Sequence, residues 1–129
     1  MVACSKSDGE VDEKLGKGAS DVVGRWSIER ITYQNLLNPS ESETYVGKSG
    51  DYLEFKDNGN VSGFAFGEAL SVSKWKVDNK ELQVTSKEED GKTTTFVYEI
   101  VKLTRSEFQI QHEIKDEDYQ MRETYYLKH

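Results

Sequence analysis

The groups able to do chemistry in this chain are few and scattered. Its histidines are His112 and His129, and Cys4 is its single cysteine. A metal centre needs His, Cys or carboxylate ligands at fitting spacing, and no His-x-x-x-His or Cys-x-x-Cys pair occurs. Catalysis by a Ser-His-acid set would have to run through His112, and no Gly-x-Ser-x-Gly turn surrounds any serine. The glycines form no phosphate loop; Gly63 and Gly67 read as strand bends or a bulge. The chain is therefore expected to bind rather than to catalyse, with no metal and no cofactor.

The residues that could recognise a ligand are polar side chains on faces that should point inward. Trp26 and Ile28 share an alternating face with Arg30. Met121, Tyr125 and Leu127 share one with Glu123, and Phe108, Ile110 and Ile114 share one with His112. A charge inside a small fold is costly unless it is paired and hydrogen-bonded. If the first and last strands are neighbours, Arg30 and Glu123 can meet, either as a structural ion pair or as a polar anchor for a ligand. The aromatic load is high for so small a core: Trp26, Phe55, Trp75, Phe96, Tyr98, Phe108 and Tyr125. These rings either fill volume or, with a few polar groups converging on them, line a small-molecule pocket. Ile28 and Leu53 complete the candidate cavity set. Tyr33, Tyr52 and Tyr126 are expected on the opposite faces.

The elements that would position these residues are strands. From residue 22 onward the apolar pattern has period 2, as in Val97, Glu99 and Val101 against Phe96, Tyr98 and Ile100. Asp57-Asn58-Gly59 is a strong hairpin signal. Asp78-Asn79-Lys80, Glu89-Asp90-Gly91-Lys92, Thr104-Arg105-Ser106 and Lys115-Asp116-Glu117-Asp118 cut the rest of the chain. The runs 24–33, 51–56, 60–66, 72–77, 81–86, 93–102, 107–114 and 119–127 predict eight antiparallel strands in an up-and-down order. Eight such strands can close into a barrel and leave no free edge. Its interior holds packed side chains or one small ligand. Between Tyr33 and Asp51 lie 17 residues with the only proline, Pro39. So long a connection predicts a loop folded over one end of the barrel.

Composition narrows the partners. The chain has 129 residues, with 17 basic and 24 acidic side chains and a net charge of −7. That length fits one domain. The acidic balance argues against nucleic acid, which needs clustered Lys and Arg, and against a polybasic membrane surface. No apolar run approaches the roughly 18 residues of a transmembrane helix.

Val23-Gly24-Arg25-Trp26 at the head of the first strand resembles the Gly-x-Trp signature of lipocalins. Tyr52-Leu53-Glu54-Phe55-Lys56-Asp57-Asn58-Gly59, Trp75-Lys76-Val77-Asp78-Asn79-Lys80-Glu81-Leu82 and Tyr98-Glu99-Ile100-Val101-Lys102-Leu103-Thr104 resemble the small lipocalin-like domains of Bacteroidetes lipoproteins. The likeness covers about residues 22–127. It implies an all-β, eight-stranded antiparallel lipocalin-like barrel in which Trp26 closes the floor beneath a cavity. It also implies a basic side chain near the end of the last strand over that tryptophan, for which Arg122 is a candidate, although alternation places Arg122 opposite Met121. No long helix follows the last strand and no cysteines pair, unlike larger lipocalins.

Met1-Val2-Ala3-Cys4-Ser5 resembles the end of a bacterial lipoprotein signal, with Met where Leu is usual. Residues 5–21 carry only Val11, Leu15 and Ala19 as apolar side chains, too few to offset the entropy of ordering them. Residues 1–21 are thus expected to be a lipidated tether and 22–129 the barrel domain. The early Asp8, Glu10, Asp12 and Glu13 resemble an acidic export signal of surface lipoproteins. The expected address is the outer membrane or cell surface, with the membrane reached through lipidated Cys4. The expected function is binding of a small apolar or amphipathic ligand. The alternative is a cell-envelope protein-contact module, an inhibitor or accessory subunit, with a filled barrel.

Overall fold

The computed structural model describes residues 18–78 and 80–129. Cys4, the acidic Asp8, Glu10, Asp12 and Glu13, and Asn79 of the expected turn lie outside the described residues. The strands are β1 (Gly24–Asn35), β2 (Glu43–Val46), β3 (Tyr52–Phe55), β4 (Asn60–Ala65), β5 (Glu68–Asp78), β6 (Glu81–Lys87), β7 (Thr93–Leu103), β8 (Glu107–Asp116) and β9 (Tyr119–Lys128). Each pairs antiparallel with the next from β3 to β9, and β1 pairs with both β3 and β9. The sheet is therefore a closed antiparallel barrel of eight strands. The short β2 adds to it, pairing with the upper half of β1 from Arg30↔Val46 to Tyr33↔Glu43. Among the described residues no helix is long and apolar enough to cross a membrane.

The turns form where the side chains favour them. At Asp57-Asn58-Gly59, Asn58 Oδ1 accepts from the Asn60 N–H at 3.0 Å, and Gly59 takes the left-handed φ of 91° that closes the hairpin. β4 ends at Ala65 and β5 begins at Glu68, so Phe66-Gly67 is a two-residue turn with φ of 57° and 80°. Both values are positive, as a type I′ hairpin requires. Gly67 is thus a turn residue. Gly63 lies beside a bulge in the β4–β5 pairing, and a Cβ there would sit 2.4 Å from the Tyr52 carbonyl oxygen. The long connection after β1 carries a 3-10 turn at Pro39–Glu41 and then β2, which brings Tyr45 against the barrel.

The lower end of the barrel is filled by rings. Trp26 is 1% exposed and Phe55 and Phe108 are equally buried. Trp26 meets Phe108 at 5.3 Å, Phe55 meets Phe108 at 5.9 Å, and Phe55 meets Trp75 edge-on at 5.4 Å. Both indole N–H groups are satisfied: Trp26 donates to the Val22 carbonyl and Trp75 to the Lys56 carbonyl, each at 2.9 Å. Ala19 and Val22 are fully buried beneath this floor, and Ala19–Asp21 is a 3-10 turn. The folded unit accordingly begins before residue 22, because Ala19, counted with the tether in the sequence, supplies apolar surface to the plug.

His129 stacks on the Trp26 indole with ring centroids 3.8 Å apart. It takes the covering position for which Arg122 was a candidate. Arg122 instead points outward and donates through Nε (2.9 Å) and Nη2 (2.7 Å) to Glu113.

Truncation of Trp26 removes the centre of this floor. Trp26→Ala is expected to cost about 3–5 kcal/mol, the range for a large buried aromatic. Urea denaturation measures it, and an unchanged midpoint would contradict the plug.

Candidate functional site

Above the floor the barrel is hollow. A cavity of about 170 Å³ is lined by Ile28, Ile31, Leu53, Phe55, Val61, Ala65, Phe66, Leu70, Leu82, Val84, Tyr98, Ile110 and Tyr125, with Ser62, Ser71 and Ser73 as polar spots. Of the residues expected to line it, Ile28, Leu53, Phe55, Tyr98 and Tyr125 do so. Trp26 and Trp75 belong to the floor below and do not border the space.

Arg30 is not in the cavity. The β1–β9 register passes from Ile28↔Leu127 to Arg30↔Tyr126, so one extra residue of β1 bulges at this point. A one-residue slip exchanges the faces of everything beyond it. Ile31 and Tyr33 therefore turn inward, with Ile31 fully buried. Arg30 lies on the outer face, over the Tyr126 ring at 3.8 Å and bonded to Glu29 at 2.9 Å. No Arg30–Glu123 pair forms, although their strands are neighbours as expected. The same slip corrects Tyr33, which faces the interior while Tyr52 and Tyr126 stay outside beneath Arg25 and Arg30.

Glu123 does not border the cavity either; it is on the inward-facing side of β9, directly across from Tyr33 of β1 and from His112 of β8. Around it stand three phenols. Tyr98 and Tyr125 meet edge-on at 5.9 Å. Burial, and then the Glu123 charge, pushes the Tyr33 and Tyr98 hydroxyls up from their ordinary value. For Tyr125 burial comes first, followed by Tyr98 and Glu123. The phenols are thus held neutral across the physiological range and can both donate and accept.

His112 does not border the cavity. The β7–β8 ladder stops at Glu99↔Gln111, and above it the two strands part. His112 sits in that seam with Nδ1 3.1 Å from the Val97 carbonyl oxygen. A carbonyl only accepts, so Nδ1 carries the proton in this bond. The ring lies 5.3 Å from Tyr98 and 5.7 Å from Phe96. Because the seam is open, Phe96 is 39% exposed and is not part of the packed floor.

The opposite side of the mouth is built by residues that alternation alone misses. Phe66 borders the cavity and is half exposed. Its ring meets Tyr45 at 4.5 Å, and its N–H donates to the Tyr45 hydroxyl at 3.2 Å. Tyr45 in turn donates to Asp51, which also accepts from the Lys48 N–H at 3.0 Å. The Lys48 N–H and then the Tyr45 hydroxyl hold the Asp51 carboxyl below the usual carboxylate range.

This architecture has a counterpart among solved structures. It matches a lipocalin-like protein from Bacteroides uniformis ATCC 8492, determined by crystallography at 1.79 Å. The TM-score is 0.50, the sequences are 14% identical, and the match covers 84% of this chain and 97% of the other. The fold is lipocalin-like. No family model and no curated protein matches the chain. In this lipocalin-like barrel the Gly-x-Trp tryptophan is the floor, as the resemblance implied, and the hollow upper half is the candidate site.

Arg30→Ala therefore tests the slip in β1. It should leave occupancy of the cavity unchanged and cost at most about 1 kcal/mol, the scale of an exposed cation–π contact. Parallel thermal melts and small-probe titrations measure both. A loss of binding with the fold intact would place Arg30 inside after all.

Proposed function

We propose that this lipocalin-like domain binds one small apolar or amphipathic molecule in its upper cavity and performs no chemistry on it. The observation that supports this reading is the cavity itself: an apolar wall of aliphatic side chains and Phe55, with the Tyr98 and Tyr125 rings on one side. Pockets for small molecules combine such a wall with a few placed polar groups. The volume limits the guest. An engineered protein cavity of roughly 150 Å³ lined by Leu, Ile and Phe takes up benzene or xenon. A space of about 170 Å³ suits a single ring or a short acyl chain. Retinoids, haem and bile-acid-like amphiphiles exceed it. A protein-contact role needs no such hollow, so the cavity favours the ligand reading.

Benzene and indole are the probes of choice. Either should raise the thermal midpoint saturably, since binding stabilises the native state by about 2.7 kcal/mol at 100 times Kd. It should also shift the methyl resonances of Ile31, Leu53, Leu82 and Ile110. Val84→Phe should fill the space and abolish both effects, with folding checked by circular dichroism. Silence of both probes in the wild-type protein would refute the reading.

The domain is also proposed to be a cell-envelope lipoprotein anchored through Cys4. Ala3-Cys4-Ser5 and the acid-rich, apolar-poor stretch that follows support this. The chain enters the barrel at its floor, where Ala19 and Val22 pack. Expressed behind a lipoprotein signal peptide, the protein should partition with membranes, and Cys4→Ala should release it. Unacylated, soluble wild-type protein would exclude the anchor.

A further inference from the structure

Among the described residues, the inner wall of the barrel carries one carboxylate, Glu123, without a matching cation. Ion pairs among the described residues occur at Arg25–Glu54, Arg30–Glu29, Lys128–Glu29, Lys102–Glu107, Lys115–Glu113 and Arg122–Glu113. The bulge that turns Arg30 outward removes from the inner wall a basic residue that an uninterrupted register would have set across from Tyr125, one inward position from Glu123. His112 faces Glu123 across the β8–β9 ladder without forming an ion pair with it, and its Nδ1 is engaged by the Val97 carbonyl in the seam. Glu123 stands at the level of Tyr33, immediately above the cavity-lining Tyr125 in the β9 register.

The geometry points to a cationic ligand: a small aromatic or aliphatic amine whose apolar body occupies the cavity and whose ammonium group sits at Glu123 among Tyr33, Tyr98 and Tyr125. This deepens the binding role proposed above and rests on it. Three physical terms favour the cation. The partly buried Glu123 carboxylate has no counter-charge among the described residues, and an ammonium supplies one through a charge-assisted hydrogen bond. Phenol oxygens accept from the remaining N–H groups. Aromatic faces attract a cation electrostatically, more strongly as water is excluded. The same carboxylate repels an anionic head. The cavity of about 170 Å³ allows a single ring and a short linker, because the lower half is occupied by Trp26, Phe55, Trp75 and Phe108.

Four probes with nearly the same body test this by titration calorimetry: 2-phenylethylamine, 2-phenylethanol, ethylbenzene and 3-phenylpropanoate. The amine should bind at least tenfold more tightly than the alcohol, and the propanoate most weakly. Added salt should weaken the amine and leave ethylbenzene unaffected. Glu123→Gln should bring the amine down to the level of the alcohol while ethylbenzene binds as before. The salt comparison on wild-type protein keeps the test valid should Glu123→Gln fold poorly. An amine no tighter than the alcohol, or a preference that survives in Glu123→Gln, overturns the cationic assignment while ethylbenzene binding leaves the cavity role standing. Failure of ethylbenzene as well refutes both.

Discussion

The pairing of β1 with β9 is the constraint on which the rest depends. It closes the sheet, so that β1 and β9 present no free edge to another chain. It also carries the bulge after Ile28, and that single extra residue decides what the interior contains. Below it Trp26 and Ile28 face the core; above it Ile31 and Tyr33 do. Without the slip the upper wall would hold Arg30, and the barrel would have to bury a guanidinium. With it, Arg30 spreads over Tyr126 in water, where its long stem covers apolar surface at little cost.

Closure produces two unequal halves. In the lower half four large rings fill the cross-section and both indoles find carbonyl acceptors, so neither indole N–H is stranded. In the upper half the inward positions are smaller: Val61, Gly63 and Ala65 on β4 and Ser73 on β5. Gly63 is fixed by the closeness of β3, since a Cβ would strike the Tyr52 carbonyl. The hollow that results opens at the mouth, and a seated guest would remove its apolar wall from water at roughly 25 cal/mol per Å² buried.

Much of this was legible in the chain. The turns at Asn58-Gly59 and Gly91, the strand alternation and the Gly-x-Trp floor all correspond to local chemistry and appear where the residues place them. Alternation extended through the interruption in β1 puts Arg30 on the inner face, whereas the bulge turns it outward. The signal was nevertheless present: apolar residues run Trp26, Ile28, then Ile31, Tyr33, a change of parity within one strand. The same change occurs between Ile100 and Leu103 on β7 and between Leu70 and Ser73 on β5, and a bulge lies at each. Parity breaks thus mark bulges, and bulges bend strands enough to close a small barrel. What no local pattern contains is the splaying of β7 from β8, which exposes Phe96 and leaves His112 to bridge the seam. That depends on where each ladder ends, a property of two strands together.

Phe66 shows how the mouth is held open to a defined width. A phenylalanine at φ 57° is disfavoured by about 1–2 kcal/mol relative to an ordinary backbone conformation. Asn or Gly would suit the turn better. The strain persists because the surroundings fix the residue from two sides: its N–H reaches the Tyr45 hydroxyl, and its ring rests on the Tyr45 ring. Tyr45 is itself fastened to Asp51, whose carboxylate also binds the Lys48 N–H at the entry to β3. The long connection after β1 is therefore tied across the mouth to the β4–β5 hairpin by one tyrosine. Glycine in place of Phe66 would relax the backbone but remove a wall of the cavity. The turn thus carries a residue that walls the cavity, where glycine or asparagine would fit the backbone better.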